Sequence, residues 1–304
     1  VMAALLGKII KDRQQLLFFA GIMILSANAG GAWSPIGDIT TIMLWVGGQI
    51  TLNIVQAIII PSLVCMIVPL VYVSFKYRGV VIERPAIKSE DKANEVIPYE
   101  RNLLFILGVL GLLFVPVFKT VTHLPPYLGM LLSLGVLWTV TEIIHRNKDQ
   151  KQKHSLTVVG ALSKIEASTI FFFLGILLAV GSLQSTGILN SLANILDDVF
   201  NGNLYIINIF IGFLSAILDN VPLVAGAMGM YEIKATGDFA VDGVFWEFLA
   251  YCAGTGGSLL VIGSAAGVAV MGILRINFIW YIKNISFLAL IGYLSGAVTF
   301  ILLQ

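Results

Sequence analysis

Long apolar stretches, separated by short polar or glycine-rich stretches, follow one another along almost the whole chain. Several are long enough for a helix of roughly 20 residues, the length that crosses the hydrocarbon core of a bilayer. The uninterrupted ones cover residues 50–75, 102–118, 127–144, 165–183 and 276–303. A shorter segment, 188–200, is amphipathic, which predicts a helix at a membrane interface. The pattern predicts an all-α, polytopic membrane protein.

Two further apolar stretches contain helix-breaking residues at the predicted depth of the membrane centre. Residues 27–41 include three glycines and a proline, and residues 254–267 combine glycines with hydroxyl side chains. Glycine is conformationally free and proline lacks a backbone donor, so neither stretch favours a continuous helix. Both are predicted to be broken transmembrane helices, each made of two half-helices.

A carboxylate and an amide, Asp219 and Asn220, lie between two apolar arms, 204–218 and 221–231. An ionised side chain inside a membrane is costly, so an intramembrane aspartate indicates a functional site. Pro222 disfavours a helix at the residue before it, which predicts a break at this point. Neither arm reaches the roughly 20 residues of a full crossing. The two arms are therefore predicted to form a re-entrant hairpin with a polar tip.

The overall composition agrees with this pattern. Of the 304 residues, 58% are hydrophobic and 12% are charged, which excludes an ordinary soluble domain. The net charge of +1 gives no indication of a nucleic-acid partner. Cys65 and Cys252 lie in apolar runs and are predicted to pack as small side chains. The sequence has no cluster of metal-ligating residues, and no resident cofactor is expected.

The distribution of basic residues supports the predicted topology. Lysine and arginine favour the cytoplasmic side of a membrane. Threading the predicted spans places 16 of the 18 basic residues on one side, in the segments 8–13, 76–101 and 146–164 and at Arg275 and Lys283. The opposite side is nearly free of basic residues.

An internal repeat relates the two broken spans. Residues 27–37 align without a gap on 253–263, with five of eleven positions identical at a shift of 226. An odd number of predicted crossings separates the copies, so the second copy is inverted, as in many secondary transporters. This predicts three parts, which are the remainder of a first repeat (1–75), a charged cytoplasmic loop (76–101) and a second repeat (102–304). The same shift places a first hairpin tip before Val1, so the chain is expected to be N-terminally truncated.

Three motifs resemble a known family. Residues 28–38 (NAGGAWSPIGD), 215–224 (SAILDNVPLV) and 254–269 (GTGGSLLVIGSAAGVA) closely resemble the NhaD-type sodium/proton antiporters of the ion transporter superfamily. The resemblance covers most of the chain. It implies a transporter rather than an enzyme, which exchanges Na⁺ or Li⁺ for H⁺ as a homodimer in membrane lipid. The membrane would be the bacterial inner membrane or the chloroplast envelope. The chain departs from the family in its missing first hairpin and in Glu166, where relatives often carry aspartate.

The candidate ligands are oxygen-bearing side chains, which hard cations such as Na⁺ prefer. The residues predicted to bind the ion or the proton are Asp219, Asn220, Thr255, Ser258, Ser264, Asp38, Glu166, Asn28, Ser34 and Thr40, with Asp219 as the Na⁺ ligand. Each has a structural alternative. A carboxylate can cap a half-helix, a hydroxyl can bond a neighbouring carbonyl, and Glu166 can pair with Lys164.

The predicted mechanism is competition between Na⁺ and H⁺ at one buried carboxylate. Burial disfavours the charged carboxylate, whereas a neighbouring cation favours it, so the two ions exclude each other. A sodium-coupled carrier of an anion such as a dicarboxylate is an alternative within the same superfamily, although Asp219 argues against an anion at the tip. An intramembrane aspartyl protease using two aspartates is a remote alternative.

Overall fold

The computed structural model describes residues 2–79, 98–122, 124–146, 158–162 and 167–304. The regular structure of these residues is helical, without a strand, which confirms the predicted all-α class. Five of their helices are long and apolar enough to cross a membrane. The candidate residue Glu166 and most of the predicted charged loop lie outside the described residues.

The described residues form fourteen helices in chain order. They are α1 (Met2–Ile9), α2 (Arg13–Ala32), α3 (Ile39–Gly47), α4 (Ile54–Lys76), α5 (Pro98–Thr122), α6 (Pro126–Ile144), α7 (Val158–Leu162), α8 (Ala167–Ser185), α9 (Ile188–Val199), α10 (Leu204–Ser215), α11 (Asn220–Met230), α12 (Val244–Gly256), α13 (Ala265–Leu274) and α14 (Phe278–Leu303). The last helix contains a π-helical turn at Ile282–Ser286.

The chain forms two compact units. The larger one contains Val1–Pro85 and Gly175–Gln304, and the smaller one contains Ala86–Leu174. In the smaller unit α5 packs against α6, and the Ser133 hydroxyl donates to the carbonyl of Gly111 across this contact. Both helices expose most of their apolar side chains, as expected of helices that face lipid. Helix α5 begins at Pro98, so the predicted charged loop ends four residues earlier than expected.

Close packing at glycines holds the larger unit together. Helices α4 and α14 lie against each other, with Gly292 beside the Cys65 carbonyl and Gly296 beside the Pro61 carbonyl. A Cβ atom on Gly296 would lie 2.6 Å from the Pro61 oxygen, which is too close for any side chain. Small residues allow such approaches between membrane helices, where van der Waals contact replaces hydrophobic burial.

Both predicted helix breaks are shorter than the sequence suggests. Helix α2 continues to Ala32, so Asn28 is helical and only residues 33–38 connect α2 to α3. Helix α12 likewise continues to Gly256, so Thr255 is helical and residues 257–264 form the second connection. A glycine inside a helix costs only about 1 kcal/mol relative to alanine, which tertiary packing can offset. The chain is therefore interrupted where the sequence predicts, but over fewer residues than the glycine-rich stretches cover.

The amphipathic segment forms α9, which is bent by 77° from the end of α8. Gly187 provides the left-handed backbone conformation at this bend, with φ 75°. Leu189 on α9 is buried and packs against Gly229 on α11, the second arm of the predicted hairpin. Leu192 and Ile195 on α9 remain exposed, so an interfacial position stays a prediction.

Candidate functional site

Asp38 ends the first helix break and occupies the N-cap position of α3, with extended backbone angles of φ −137° and ψ 150°. Its side chain does not cap the helix. Instead, its Oδ2 atom accepts hydrogen bonds from the Thr40 hydroxyl and from Asn220 Nδ2, the latter at 3.4 Å. Thr40 and Asn220 are both buried. The first break therefore meets the start of α11 through a carboxylate and an amide.

Ser264 ends the second break and occupies the N-cap position of α13, with φ −150° and ψ 150°. Its hydroxyl oxygen accepts a hydrogen bond from the backbone N–H of Gly267 at 3.2 Å. It also accepts one from Asn28 Nδ2 on α2 at 3.0 Å. The first broken helix therefore contacts the second break directly, although 236 positions separate the two residues.

The two breaks have matching local structure at the repeat shift of 226. The shift places Asp38 on Ser264, and each of them is the N-cap of a second half-helix. It also aligns Gly31 with Gly257, and Gly37 with Gly263. A Cβ atom on Gly37 would lie 2.5 Å from the Gly31 carbonyl oxygen, and one on Gly257 would collide with the Gly263 carbonyl oxygen. Each break is closed by an equivalent pair of glycines.

The helix contacts around the breaks match in the same way. Helix α11 packs against α3 and α12, and α1 packs against α13 and α2. Under the repeat, α3 corresponds to α13 and α2 corresponds to α12. The contacts of α1 with α13 and α2 therefore parallel those of α11 with α3 and α12.

Asp219 lies between the two arms of the predicted hairpin, at the N-cap position of α11. Its side chain is half-buried, and the residue after it, Asn220, donates to the Asp38 carboxylate. The first arm is attached to α12, because the Ser215 hydroxyl donates to the Ala253 carbonyl at 3.2 Å. Asp219 therefore lies between a helix that is bonded to α12 and a helix whose first residue, Asn220, is bonded to Asp38.

The backbone of α12 passes close to the Asp38 carboxylate. A Cβ atom on Gly254 would lie 3.0 Å from the Ala32 Cβ and 3.7 Å from Asp38 Oδ2. Glycine at this position lets α12 approach the end of α2 and the Asp38 side chain. Gly254 was not among the predicted site residues, because a glycine contributes space rather than a functional group.

The hydroxyl groups near the second break already act as hydrogen-bond donors to backbone carbonyls. The Thr255 hydroxyl donates to the Tyr251 carbonyl at 2.6 Å, and the Ser258 hydroxyl donates to the Thr255 carbonyl. A hydroxyl whose O–H group is engaged in a hydrogen bond presents only its oxygen lone pairs to any further partner. Oxygen lone pairs are the ligands that hard cations prefer. Both residues are buried, and they offer acceptors without competing donors.

The structure brings the candidates into two neighbouring groups. Asp38, Thr40 and Asn220 form the first, with Asp219 adjacent to Asn220 in the chain, and Asn28, Ser264, Thr255 and Ser258 surround the second break. Ser34 does not join either group through a described hydrogen bond, since its hydroxyl accepts only from the N–H of Ile36 at 3.4 Å. In the described part of the chain, no three histidine, cysteine, aspartate or glutamate residues are grouped as metal ligands.

One group of polar contacts, around Asp242, lies outside these groups and was not predicted from the sequence. Asp242, with a left-handed φ of 57°, accepts from the backbone N–H and the hydroxyl of Thr51, each at 2.5 Å, and from Asn53 Nδ2 at 3.1 Å. The loop before α12 is thereby tied to the start of α4. No local sequence signal could have revealed a contact between residues 191 positions apart.

Gly263 joins the second break to the hairpin. A Cβ atom at this position would lie 2.6 Å from the Ser215 carbonyl oxygen and 2.7 Å from the Ala216 Cα, both backbone atoms. We expect Gly263→Ala to destabilise the protein by about 1–3 kcal/mol, because overpacking forces the two backbones apart. The measurement is the melting temperature of the purified protein in detergent.

Gly272→Ala is the matched control for this substitution. Gly272 lies within α13, and a Cβ atom on it would have no neighbour within 4 Å, so alanine fits without contact. Alanine also favours a helix more than glycine does, so the melting temperature should stay the same or rise. Equal melting temperatures for the two variants would contradict the close approach at Gly263.

The whole chain is similar to known membrane transporters. A family model described as citrate transporter, CitMHS, matches residues 1–247. The chain is 45% identical over 302 residues to sodium/proton antiporter 1 and 41% identical over 309 residues to sodium/proton antiporter 2, both of Arabidopsis thaliana. It is 30% identical over 307 residues to the Na(+)/H(+) antiporter NhaD of Vibrio parahaemolyticus.

The matches differ in how much of each relative they cover. The matches to the two Arabidopsis antiporters each include 99% of this chain, and the match to the Vibrio antiporter includes 92%. The chain spans 51% of the length of the first Arabidopsis relative and 70% of the length of the other two. No solved structure gives a significant match.

Proposed function

The chain belongs to the citrate transporter (CitMHS) family, in its NhaD-type sodium/proton antiporter branch, and from this premise we propose that it exchanges Na⁺ or Li⁺ for H⁺. Members of this family are multi-pass membrane transporters and not enzymes, which removes the aspartyl protease alternative. The observation that carries the proposal is the hydrogen bond from Asn220 to the Asp38 carboxylate, which brings the first helix break against the residue next to Asp219 and so pairs two carboxylates in one region.

Exchange follows from competition at this carboxylate pair. Two like charges removed from water favour uptake of a positive charge, which either a proton or a metal cation can supply. A bound Na⁺ disfavours protonation of the same oxygens, and a bound proton disfavours Na⁺. The carboxylates therefore carry one kind of ion at a time. If the site opens alternately to the two sides of the membrane, exchange needs no further coupling device.

The proposed roles of the remaining residues follow from their hydrogen bonds. Asp219 carries the exchanged charge, and Asp38 adds a second negative oxygen pair whose orientation is set by Thr40 and Asn220. Thr255 and Ser258 add oxygen lone pairs at the second break. Asn28 and Ser264 join the two broken helices, and Ser34 and Glu166 remain proposed contributors along the ion path.

Alternating access is proposed to use the inverted repeat. The equivalent N-caps, glycine pairs and helix contacts of the two breaks support a two-fold relation between the copies. Such repeats place the binding site at their interface near the membrane centre. The proposed partners are membrane lipid, which the exposed apolar surfaces of α5 and α6 support, and a second copy of the chain, which the family resemblance implies.

The test uses proteoliposomes that contain the full chain and a pH-sensitive dye. An imposed Na⁺ or Li⁺ gradient is expected to change the internal pH, whereas K⁺ or choline is expected to leave it unchanged. Na⁺-driven uptake of radiolabelled succinate without a pH change would instead support the sodium-coupled anion carrier. A pH that responds to none of these cations would reject the proposed exchange.

A further inference from the structure

Tyr281 makes a buried hydrogen bond to the second helix break. Its side chain is fully buried, and its hydroxyl donates to the carbonyl oxygen of Ser258 at 2.9 Å. Ser258 lies two residues beyond the end of α12, and no backbone amide of the described residues bonds its carbonyl. A carbonyl released by a helix end needs a partner when it is buried. Tyr281 supplies that partner from another helix.

The position of Tyr281 is fixed on both sides along α14. Asn277 caps the start of the helix by accepting from the N–H groups of Ile279 and Trp280, and its carbonyl accepts from the N–H of Tyr281 at 3.0 Å. The π-helical turn Ile282–Ser286 begins immediately after Tyr281. Turns of this kind are rare and occur frequently at functional sites.

The π-helical turn also contacts the first broken helix. Ile285, within the turn, packs against α2 so closely that a Cβ atom on Gly21 would lie 2.5 Å from its Cδ1 atom. The start of α14 therefore touches α2 through Ile285 and the second break through Tyr281. It sets the position of the Ser258 carbonyl relative to the first repeat.

We infer that Tyr281 is a positioning residue for cation binding at the second break, an inference that rests on the proposed Na⁺/H⁺ exchange. Its hydroxyl orients the Ser258 peptide group. The Ser258 hydroxyl donates a hydrogen bond to the Thr255 carbonyl, so its oxygen lone pairs are free to face a cation. Their direction depends on the orientation of the Ser258 backbone, which Tyr281 holds. Without the Tyr281 hydroxyl, the turn at Ser258 loses its only described anchor to α14. The cation would then meet a ligand that is present but poorly oriented.

A second tyrosine on the same helix provides a matched control. Tyr293 is also fully buried, and its hydroxyl also donates to a backbone carbonyl, that of Ile209, at 3.0 Å. Ile209 lies within α10 and away from either helix break. Tyr293→Phe therefore removes the same chemical group from the same helix without releasing a residue of the proposed site.

The experiment compares wild type, Tyr281→Phe and Tyr293→Phe in the proteoliposome assay. The apparent KM for Na⁺ and the maximal rate are measured at fixed pH for each protein. We expect Tyr281→Phe to raise the KM for Na⁺ by about 2- to 10-fold, the range for loss of one buried neutral hydrogen bond. The KM of Tyr293→Phe should equal that of the wild type, even if less protein folds and the maximal rate falls.

A second measurement does not depend on transport. Na⁺ that binds the folded protein raises its melting temperature by mass action. The Na⁺ concentration needed for half of this rise should increase in Tyr281→Phe and stay constant in Tyr293→Phe.

Two results would overturn the inference while leaving the proposed exchange intact. One is an unchanged Na⁺ dependence in Tyr281→Phe, and the other is an equal change in both variants. A wild type that responds to Na⁺ in neither assay would overturn the proposed function and this inference with it.

Discussion

Replacing Asp219 by asparagine is expected to abolish Na⁺-driven pH change in proteoliposomes, because a neutral amide carries no negative charge for which Na⁺ and H⁺ can compete. Asparagine keeps the size of the side chain and the ability to occupy an N-cap. It cannot exchange a proton for a metal ion. The hairpin should therefore fold while the step that couples the two ions is lost.

An aspartate that is remote from the breaks is the control for Asp219. Asp198 is exposed on α9, and Asp198→Asn removes the same charge without touching either broken helix. Its exchange rate should equal that of the wild type. Undiminished exchange in Asp219→Asn would place the coupling carboxylate elsewhere, with Asp38 as the remaining candidate in this group.

The positions of the helix breaks follow from the sequence, whereas their lengths do not. Glycine and proline content predicts both interruptions, and Pro222 predicts the break at Asp219. Asn28 and Thr255 nevertheless lie inside helices. Whether a glycine-containing turn stays helical depends on the contacts that the whole fold provides, and a local pattern does not contain them.

The internal repeat predicts more of the site than any single residue does. The alignment of Asp38 with Ser264 predicts that these residues hold equivalent positions. In the structure, each occupies the N-cap position of a second half-helix. It does not predict the cross-contacts. Asn28 bonds Ser264, and Asn220 bonds Asp38, because one copy folds against the other.

Two polar contacts lie beyond what the sequence pattern can indicate. Tyr281 lies in an apolar span, where a tyrosine usually indicates packing or a membrane interface. The π-helical turn after it changes the helical register by a local insertion, which hydrophobic periodicity does not detect. Asp242 lies in an acidic loop whose charges suggest only solvation, yet it ties that loop to Thr51. Both depend on long-range packing.

Asp38→Asn removes the charge of the second carboxylate but keeps its ability to accept hydrogen bonds. Asp38 accepts hydrogen bonds from Thr40 and Asn220 through one oxygen, and the amide oxygen of asparagine can accept the same bonds. The fold should persist while the charge is lost. We expect the apparent affinity for Na⁺ to fall about 10- to 100-fold, the range for losing a charged hydrogen-bonding ligand. The measurement is the KM for Na⁺ in proteoliposomes.

Asp12→Asn is the matched control for this substitution, because Asp12 is also the N-cap of a half-helix. Its exposed carboxylate accepts from the N–H of Gln15 at 2.7 Å, and asparagine caps helices equally well. If only the position at a helix N-terminus mattered, both variants would behave like the wild type. A larger KM only in Asp38→Asn assigns the effect to the charge at the break. Equal KM values in the two variants would limit Asp38 to its hydrogen bonds with Thr40 and Asn220 and leave Asp219 as the sole carboxylate for which Na⁺ and H⁺ compete.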